Sequence, residues 1–363
     1  MTRISAVPHI AAMTPYALAD LSVPAGKRLI SLAQNESLRG PGPLAVQAAR
    51  QALCSAQLYP DPDWVALRGA IAEVHGVPAG TILCGAGSME LIGCLAHAYG
   101  GPGARILSTQ YGYAFFRTAA EITNAGFDIA PETGFTVGVD ALLSAVRANT
   151  KMVFLANPGN PTGTRISADE IRRLRNGLDA RILLVVDEAY GEFADGQDAP
   201  VFDLARQGNT VVLRTFSKAY GLAGMRVGWG VFPGPVAAEI RKILNPNNIS
   251  AASQAGACAA MQDQDYMKET CAITASLRES FTDQLRALGL AVERSHTNFV
   301  LIRFAGEQQA QSACRALRAE GILMRGMGSY GLRDCLRATV GSSADMAFAA
   351  QVLSDWLAGE DPR

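Results

Sequence analysis

Six short apolar runs, each four to six residues long and alternating with helix-like sequence, constrain this chain most. They begin at Thr81, Ile106, Lys151, Ile182, Thr210 and Val227. Ile182-Leu183-Leu184-Val185-Val186 contains no polar residue, and Thr210-Val211-Val212-Leu213 is β-branched at three of its four positions. Runs that do not alternate polar with apolar read as strands buried on both faces. Strands that alternate with helices read as an α/β fold around a mostly parallel sheet, with helices on both sides. Chemistry-bearing residues gather just past the runs. They fall at Gly85-Ala86-Gly87-Ser88, Gln110-Tyr111-Gly112-Tyr113, Asn157–Gly163, Asp187-Glu188-Ala189-Tyr190 and Thr215-Phe216-Ser217-Lys218. Open parallel sheets bind ligands along that edge.

The chain has 363 residues, enough for a large core and two domains. A net charge of −1 gives no general attraction to nucleic acid or to anionic membranes. No apolar run is long enough to span a bilayer, and the N-terminus lacks the basic-then-apolar pattern of a secretory signal. The seven cysteines include no C-x-x-C pair. They are expected as free thiols, which suits a reducing cytoplasm. The four histidines show no ligand spacing, so no metal centre is expected.

Lys218 lies between two apolar runs, where burial and nearby cations favour the neutral amine that a Schiff-base lysine requires. Thr215, Ser217 and Arg226 bring two hydroxyls and a guanidinium, which suit a phosphate dianion. The glycines of Gly85–Ser88 permit close backbone approach to such a group, and a helix opening near Ser88 would add its N-terminal N–H groups. A dinucleotide fingerprint would need a third glycine where Glu90 stands, which argues against a nicotinamide dehydrogenase. Asp187, at the end of a fully apolar run, is costly to bury without a cationic partner.

The motifs Asn157-Pro158-Gly159-Asn160-Pro161-Thr162-Gly163, Asp187-Glu188-Ala189-Tyr190 and Thr215–Arg226, in that order, resemble the fold-type I pyridoxal-phosphate aminotransferases. Within them the chain is most similar to the histidinol-phosphate and aromatic branch, from about Tyr16 to Val340. The resemblance implies a seven-stranded-type, mostly parallel sheet flanked by helices, with a smaller α+β domain. The expected divisions are 1–45 (N-terminal arm and part of the small domain), 46–262 (large cofactor-binding domain) and 263–363 (C-terminal small domain).

The resemblance also assigns roles. Lys218 would hold pyridoxal 5'-phosphate and serve as general base. Asp187 would face the ring nitrogen, Tyr190 and Asn160 the ring's phenolic oxygen, and Tyr113 the ring face, with Tyr111 as the second choice. Gly85, Ala86, Gly87, Ser88, Thr215, Ser217 and Arg226 would surround the phosphate. Tyr59, in Tyr59-Pro60-Asp61-Pro62, would reach the phosphate of the second subunit of a homodimer. Arg337, in Leu336–Gly341, would clamp a substrate carboxylate, and Arg325 a phosphate tail. The segment from Asn35 to Pro41 departs from the family's N-E-N-P-aromatic-G-P, and Arg39 stands at the aromatic position. It is expected to meet an anionic substrate tail. An aromatic donor would instead need an apolar wall, which Tyr16, Leu38 and Tyr113 could form.

The implied reaction moves an amino group from histidinol phosphate, an aromatic amino acid or a related biosynthetic amine to a 2-oxo acid such as 2-oxoglutarate. A decarboxylase or cyclising lyase would share nearly every motif. A non-catalytic pyridoxal-phosphate module is the other class, opposed by the intact Lys, Asp, Arg and Asn set.

Overall fold

The computed structural model describes residues 4–15, 20, 22–194, 196 and 200–359. All six apolar runs become strands, and a seventh joins them. β1 (Ile82–Gly85), β2 (Arg105–Thr109), β3 (Gly126–Ala130), β4 (Thr150–Ala156), β5 (Leu183–Asp187), β6 (Thr210–Thr215) and β7 (Gly228–Val231) form one sheet, in the order β1-β7-β6-β5-β4-β2-β3. β7 is antiparallel to both neighbours, and every other pair is parallel. Every residue of β1, β5, β6 and β7 is buried, which explains their uninterrupted apolar sequence.

β3 was not expected. It is an edge strand, and Asp128 breaks its apolar run. Asp128 is nonetheless buried, because Arg105 on the adjacent strand donates to it through Nη2 at 2.6 Å. A charged residue that signals a loop in sequence is here neutralised across the sheet.

The topology aligns the chemistry. Gly85, Thr109, Ala156, Asp187 and Thr215 end parallel strands at one edge, and antiparallel β7 starts there with Gly228. The helix Ser88–Tyr99 presses its first turn onto that start, since a β-carbon at Gly228 would lie 2.1 Å from the Ser88 nitrogen. Only glycine allows this approach.

A second apolar cluster gathers Ile30, Leu32, Phe281 and Leu285 with residues from Leu290 to Leu353. It is built on a four-stranded antiparallel sheet of β8 (Ala291–Val292), β9 (Phe299–Arg303), β10 (Arg325–Met327) and β11 (Leu332–Thr339), ordered β8-β9-β11-β10. The helices Glu307–Ala319 and Ser343–Leu357 complete it. Ile30–Ser31 pairs in parallel with Ile322–Leu323, which stitches the early chain into this cluster. The long helix Gln264–Ala287, capped by Asp263 accepting from the Tyr266 N–H at 3.3 Å, serves both cores. Met267 belongs to the first, and Phe281 and Leu285 to the second. Among the described residues, no helix is long and apolar enough to cross a membrane.

Candidate active site

A cavity of about 940 Å³ opens where the carboxyl edge of the large sheet meets β10 and β11. Thr215 ends β6 inside it. The Thr215 hydroxyl lies 3.0 Å from Ser217 Oγ and accepts the Ser217 N–H at 3.1 Å. Arg226 Nη1 donates to Ser217 Oγ at 3.3 Å and to the Ala223 carbonyl at 3.0 Å. Gly87, at φ +80°, makes room for this guanidinium, because a β-carbon there would lie 2.5 Å from Arg226 Nη2. Ser88 opens its helix on the same side and lines the cavity. Two hydroxyls, a guanidinium and a helix N-terminus form an anion cradle.

The glycine loop departs from expectation. The Ala86 N–H donates to the Glu90 carboxylate at 2.6 Å, and the Gly87 N–H to the Gly85 carbonyl at 2.7 Å. Those two donors therefore do not face the cavity. Gly85 and Gly87 instead serve close packing against Leu91 and Arg226, and of this loop only Ser88 reaches the cavity.

Lys218 follows the cradle. Its Nζ donates to the Asn35 carbonyl at 2.9 Å and sits 5.8 Å from the Tyr190 ring centre. Burial first, then the charges of Arg337 and Arg226, bring this amine from 10.5 down to about 8. Asp187, at the end of β5, lines the same cavity and accepts the Ala189 N–H at 3.1 Å. Burial pushes its carboxyl from 3.8 up to about 7. A lowered amine and a raised carboxylate in one cavity mark a site built for proton chemistry.

Tyr190 accepts from Asn35 Nδ2 at 2.8 Å and packs edge-on against Phe299. Burial raises its phenol to about 12. The loop bearing Asn160 is stapled by Asn157, whose side chain bonds the Ile166 carbonyl at 3.1 Å and N–H at 2.9 Å. Asn160 Oδ1 accepts Arg337 Nη1 at 2.6 Å, while Arg337 Nη2 donates to the Ala33 carbonyl at 3.0 Å. Arg325 and Arg337 are direct cross-strand partners on β10 and β11, and both line the cavity. Tyr113 lines it too, edge-on to Phe116, whereas Tyr111 packs on Phe135 outside.

Arg39, expected at a substrate tail, lies elsewhere, and Tyr59, expected to act in a second subunit, sits at this chain's surface. Arg39 is not in the cavity: it pairs with Glu269 at 2.7 Å and stacks 4.0 Å over Tyr266. An acidic residue and an aromatic on the long helix satisfy it, so it meets no substrate tail within this chain. Tyr59 is 88% exposed on the outer surface. Of the proposed aromatic wall, Tyr113 is present, Leu38 does not line the cavity, and Tyr16 lies outside the described residues.

Sequence reading gave no role to Asn35, although it contacts both Lys218 and Tyr190. Its signal was its place in the family motif, where Asn35, Glu36, Gly40 and Pro41 are kept, together with the tolerance of Asn for left-handed backbone.

A sheet of seven strands with its antiparallel member second from one edge, and a lysine just past β6, is the fold-type I transferase architecture. The chain belongs to the aminotransferase class I and II family, which matches residues 27–353, and it is an aminotransferase. Histidinol-phosphate aminotransferase of Rhodospirillum centenum is 42% identical over 355 residues, covering 97% of this chain and 98% of that one. The Jannaschia protein of the same name is 44% identical over 316 residues, covering 87% and 88%. The crystal structure of the Sinorhizobium meliloti histidinol-phosphate aminotransferase in complex with pyridoxal-5'-phosphate superposes with a TM-score of 0.90 at 30% identity, over 97% of each chain. None of these three supports a decarboxylase, a cyclising lyase or a non-catalytic module.

Proposed function

We propose that this chain uses pyridoxal 5'-phosphate to move an amino group from histidinol phosphate to a 2-oxo acid such as 2-oxoglutarate. The observation that carries the reading is the placement of Lys218 and Asp187 in one cavity that ends in the Thr215, Ser217 and Arg226 cradle. When bound, pyridoxal phosphate supplies an electrophilic carbon for amines and a ring that delocalises the electron pair left by a departing proton.

The chain's residues supply the rest. Lys218, with Arg337 and Arg226 disfavouring its cation, offers a neutral amine that attacks or takes a proton on Nζ. Asp187, raised by burial, would ionise opposite a protonated ring nitrogen and hold a proton there. Tyr190 and Asn160, which line the same cavity, would meet the ring oxygen, and Tyr113 would cover a ring face. Both substrates carry an anion close to the reacting carbon, a carboxylate in the oxo acid and a phosphate in the donor. The adjacent guanidiniums of Arg337 and Arg325 suit either.

A homodimer belongs to the same reading. Leu44, Leu53, Leu58, Tyr59 and Val65 are all exposed within one short stretch of chain, an apolar face that supports self-association. Tyr59 would then act in the partner's cavity. The divisions at 45 and 262 are supported by the two separate apolar cores. A cytoplasmic location is supported by seven cysteines that are all free thiols.

The test is glutamate formed from 2-oxoglutarate with histidinol phosphate, histidine or phenylalanine as donor. Histidinol phosphate is expected to lead in kcat/KM by at least roughly tenfold. A lead for phenylalanine would move the donor to the aromatic class, and no glutamate from any donor would refute transamination.

A further inference from the structure

We propose that Asn35 is a positioning residue for the reaction: its main-chain carbonyl holds the Lys218 amine, and its side-chain amide aims the Tyr190 hydroxyl. The inference rests on the roles of Lys218 and Tyr190 proposed above.

Each polar atom of Asn35 is engaged, and the partners come from the strand ends of both sheets. The carbonyl accepts Lys218 Nζ at 2.9 Å and Asn298 Nδ2 at 3.2 Å. Nδ2 donates to the Tyr190 hydroxyl at 2.8 Å. The N–H donates to Thr339 Oγ1 at 2.9 Å, and that hydroxyl lies 3.3 Å from Asn35 Oδ1. The residue is 2% exposed and holds φ at 55°, in the left-handed region. A buried side chain in a conformation that disfavours most residues persists only where its surroundings over-determine it.

The geometry suits two tasks. A carbonyl takes one N–H of a neutral amine and leaves the lone pair on Nζ for a carbon or a proton. Lys218 therefore has a parking place when it is not bonded to the cofactor. The Tyr190 oxygen accepts from Asn35, so its own proton must point elsewhere, which sets the direction in which that hydroxyl donates. The segment also joins the amine to the anion clamp. Thr339 lies two residues past Arg337, on the same face of β11, and Arg337 Nη2 donates to the Ala33 carbonyl at 3.0 Å. Ala33 and Asn35, two positions apart, thus hold the Arg337 guanidinium and the Lys218 amine from one segment.

The experiment compares wild type, Asn35→Gly and Asn35→Asp. Cofactor-free protein is labelled at Lys218 with an amine-selective reagent across pH, and kcat and KM are measured on the loaded enzyme. The amine is faced by Arg337, Arg226, Glu36 and Asp187, and by the Tyr190 ring. Glycine keeps the left-handed backbone and its carbonyl, so the labelling midpoint should stay at the wild-type value. Tyr190 loses its guide, so kcat should fall roughly tenfold with the 2-oxoglutarate KM little changed. Aspartate places a carboxylate against the Tyr190 hydroxyl in the same cavity as the amine, so the labelling midpoint should rise by about one pH unit and kcat should fall. A purely structural Asn35 would lower the melting temperature of both variants and leave the kcat of the glycine variant unmoved, and that result overturns the proposal. Failure of the underlying reading looks different: borohydride trapping would then map the cofactor to a lysine other than Lys218, whatever occupies position 35.

Discussion

Asp187 and Glu188 are neighbours at the end of one strand, and their surroundings differ completely. Glu188 lies outside the cavity, where Arg214 Nε and Nη2 reach it at 3.0 and 2.8 Å; that guanidinium is fully buried, with Glu192 3.6 Å away. Asp187 lines the cavity, accepts a backbone N–H and is held near neutrality by burial. The first charge is completed by the protein itself, and the second waits for a ligand to complete it. The arginines repeat the contrast. Arg39 is satisfied by Glu269 and Tyr266 outside the cavity, whereas Arg337 lines the cavity and donates to two neutral oxygens.

The comparison can be broken most sharply at Asp187. Asp187→Asn should cost roughly 10²- to 10³-fold in kcat, because a neutral amide does not hold a proton on the ring nitrogen. The same change should stabilise cofactor-free protein at high pH. The folded carboxyl titrates above its ordinary value, so the cofactor-free fold favours its protonated form. That contribution is complete below about pH 4 and is lost as pH rises through about 7. Thermal melts of cofactor-free protein should therefore favour the variant above pH 7, by up to roughly 4 kcal/mol, and converge near pH 4. Equal melts at pH 8 would mean that Asp187 is not held as described.

Glu188→Gln should do the opposite. Leaving Arg214 without its closest carboxylate costs about 3–5 kcal/mol in stability at all pH values where Glu188 is ionised, read by urea denaturation. In the fraction that stays folded, kcat should remain near wild type. A variant as stable as wild type would remove the distinction between the two carboxylates.

Arg337→Lys keeps the charge and loses the planar fork. The KM for 2-oxoglutarate should rise about tenfold or more, with a smaller change in kcat. Arg39→Ala should have the smallest effect, within about 1 kcal/mol of stability and with both KM values essentially unchanged. A large rise in donor KM for Arg39→Ala would return that residue to the substrate pocket.

Legibility followed burial. β5 and β6 were evident because strands covered on both faces carry uninterrupted apolar sequence. β3 was hidden by Asp128, whose cost is met by Arg105 on another strand. The residues past the strand ends stood out because parallel topology sends all those ends to one edge. The direction of Arg39 was not legible, since nothing local ties it to Glu269, 230 residues onward. The glycine loop was half-read: its glycines were recognised as permitting close approach, but the donors at Ala86 and Gly87 had already been taken by Glu90 and Gly85.

What the sequence determined by itself is the α/β alternation, the family and the identity of the groups that carry the chemistry. These depend on local patterns: period, apolar runs and motif order. Tertiary structure alone decided which charged groups line the cavity. Motif order singled out Asp187 and Arg337, but only the fold shows that Glu188 is neutralised by Arg214 and Arg39 by Glu269 and Tyr266. Their fates depend on partners distant in sequence, and so does the placement of Asn35 between Lys218 and Thr339. Desolvation and pairing are properties of position in space, and only the folded chain assigns them.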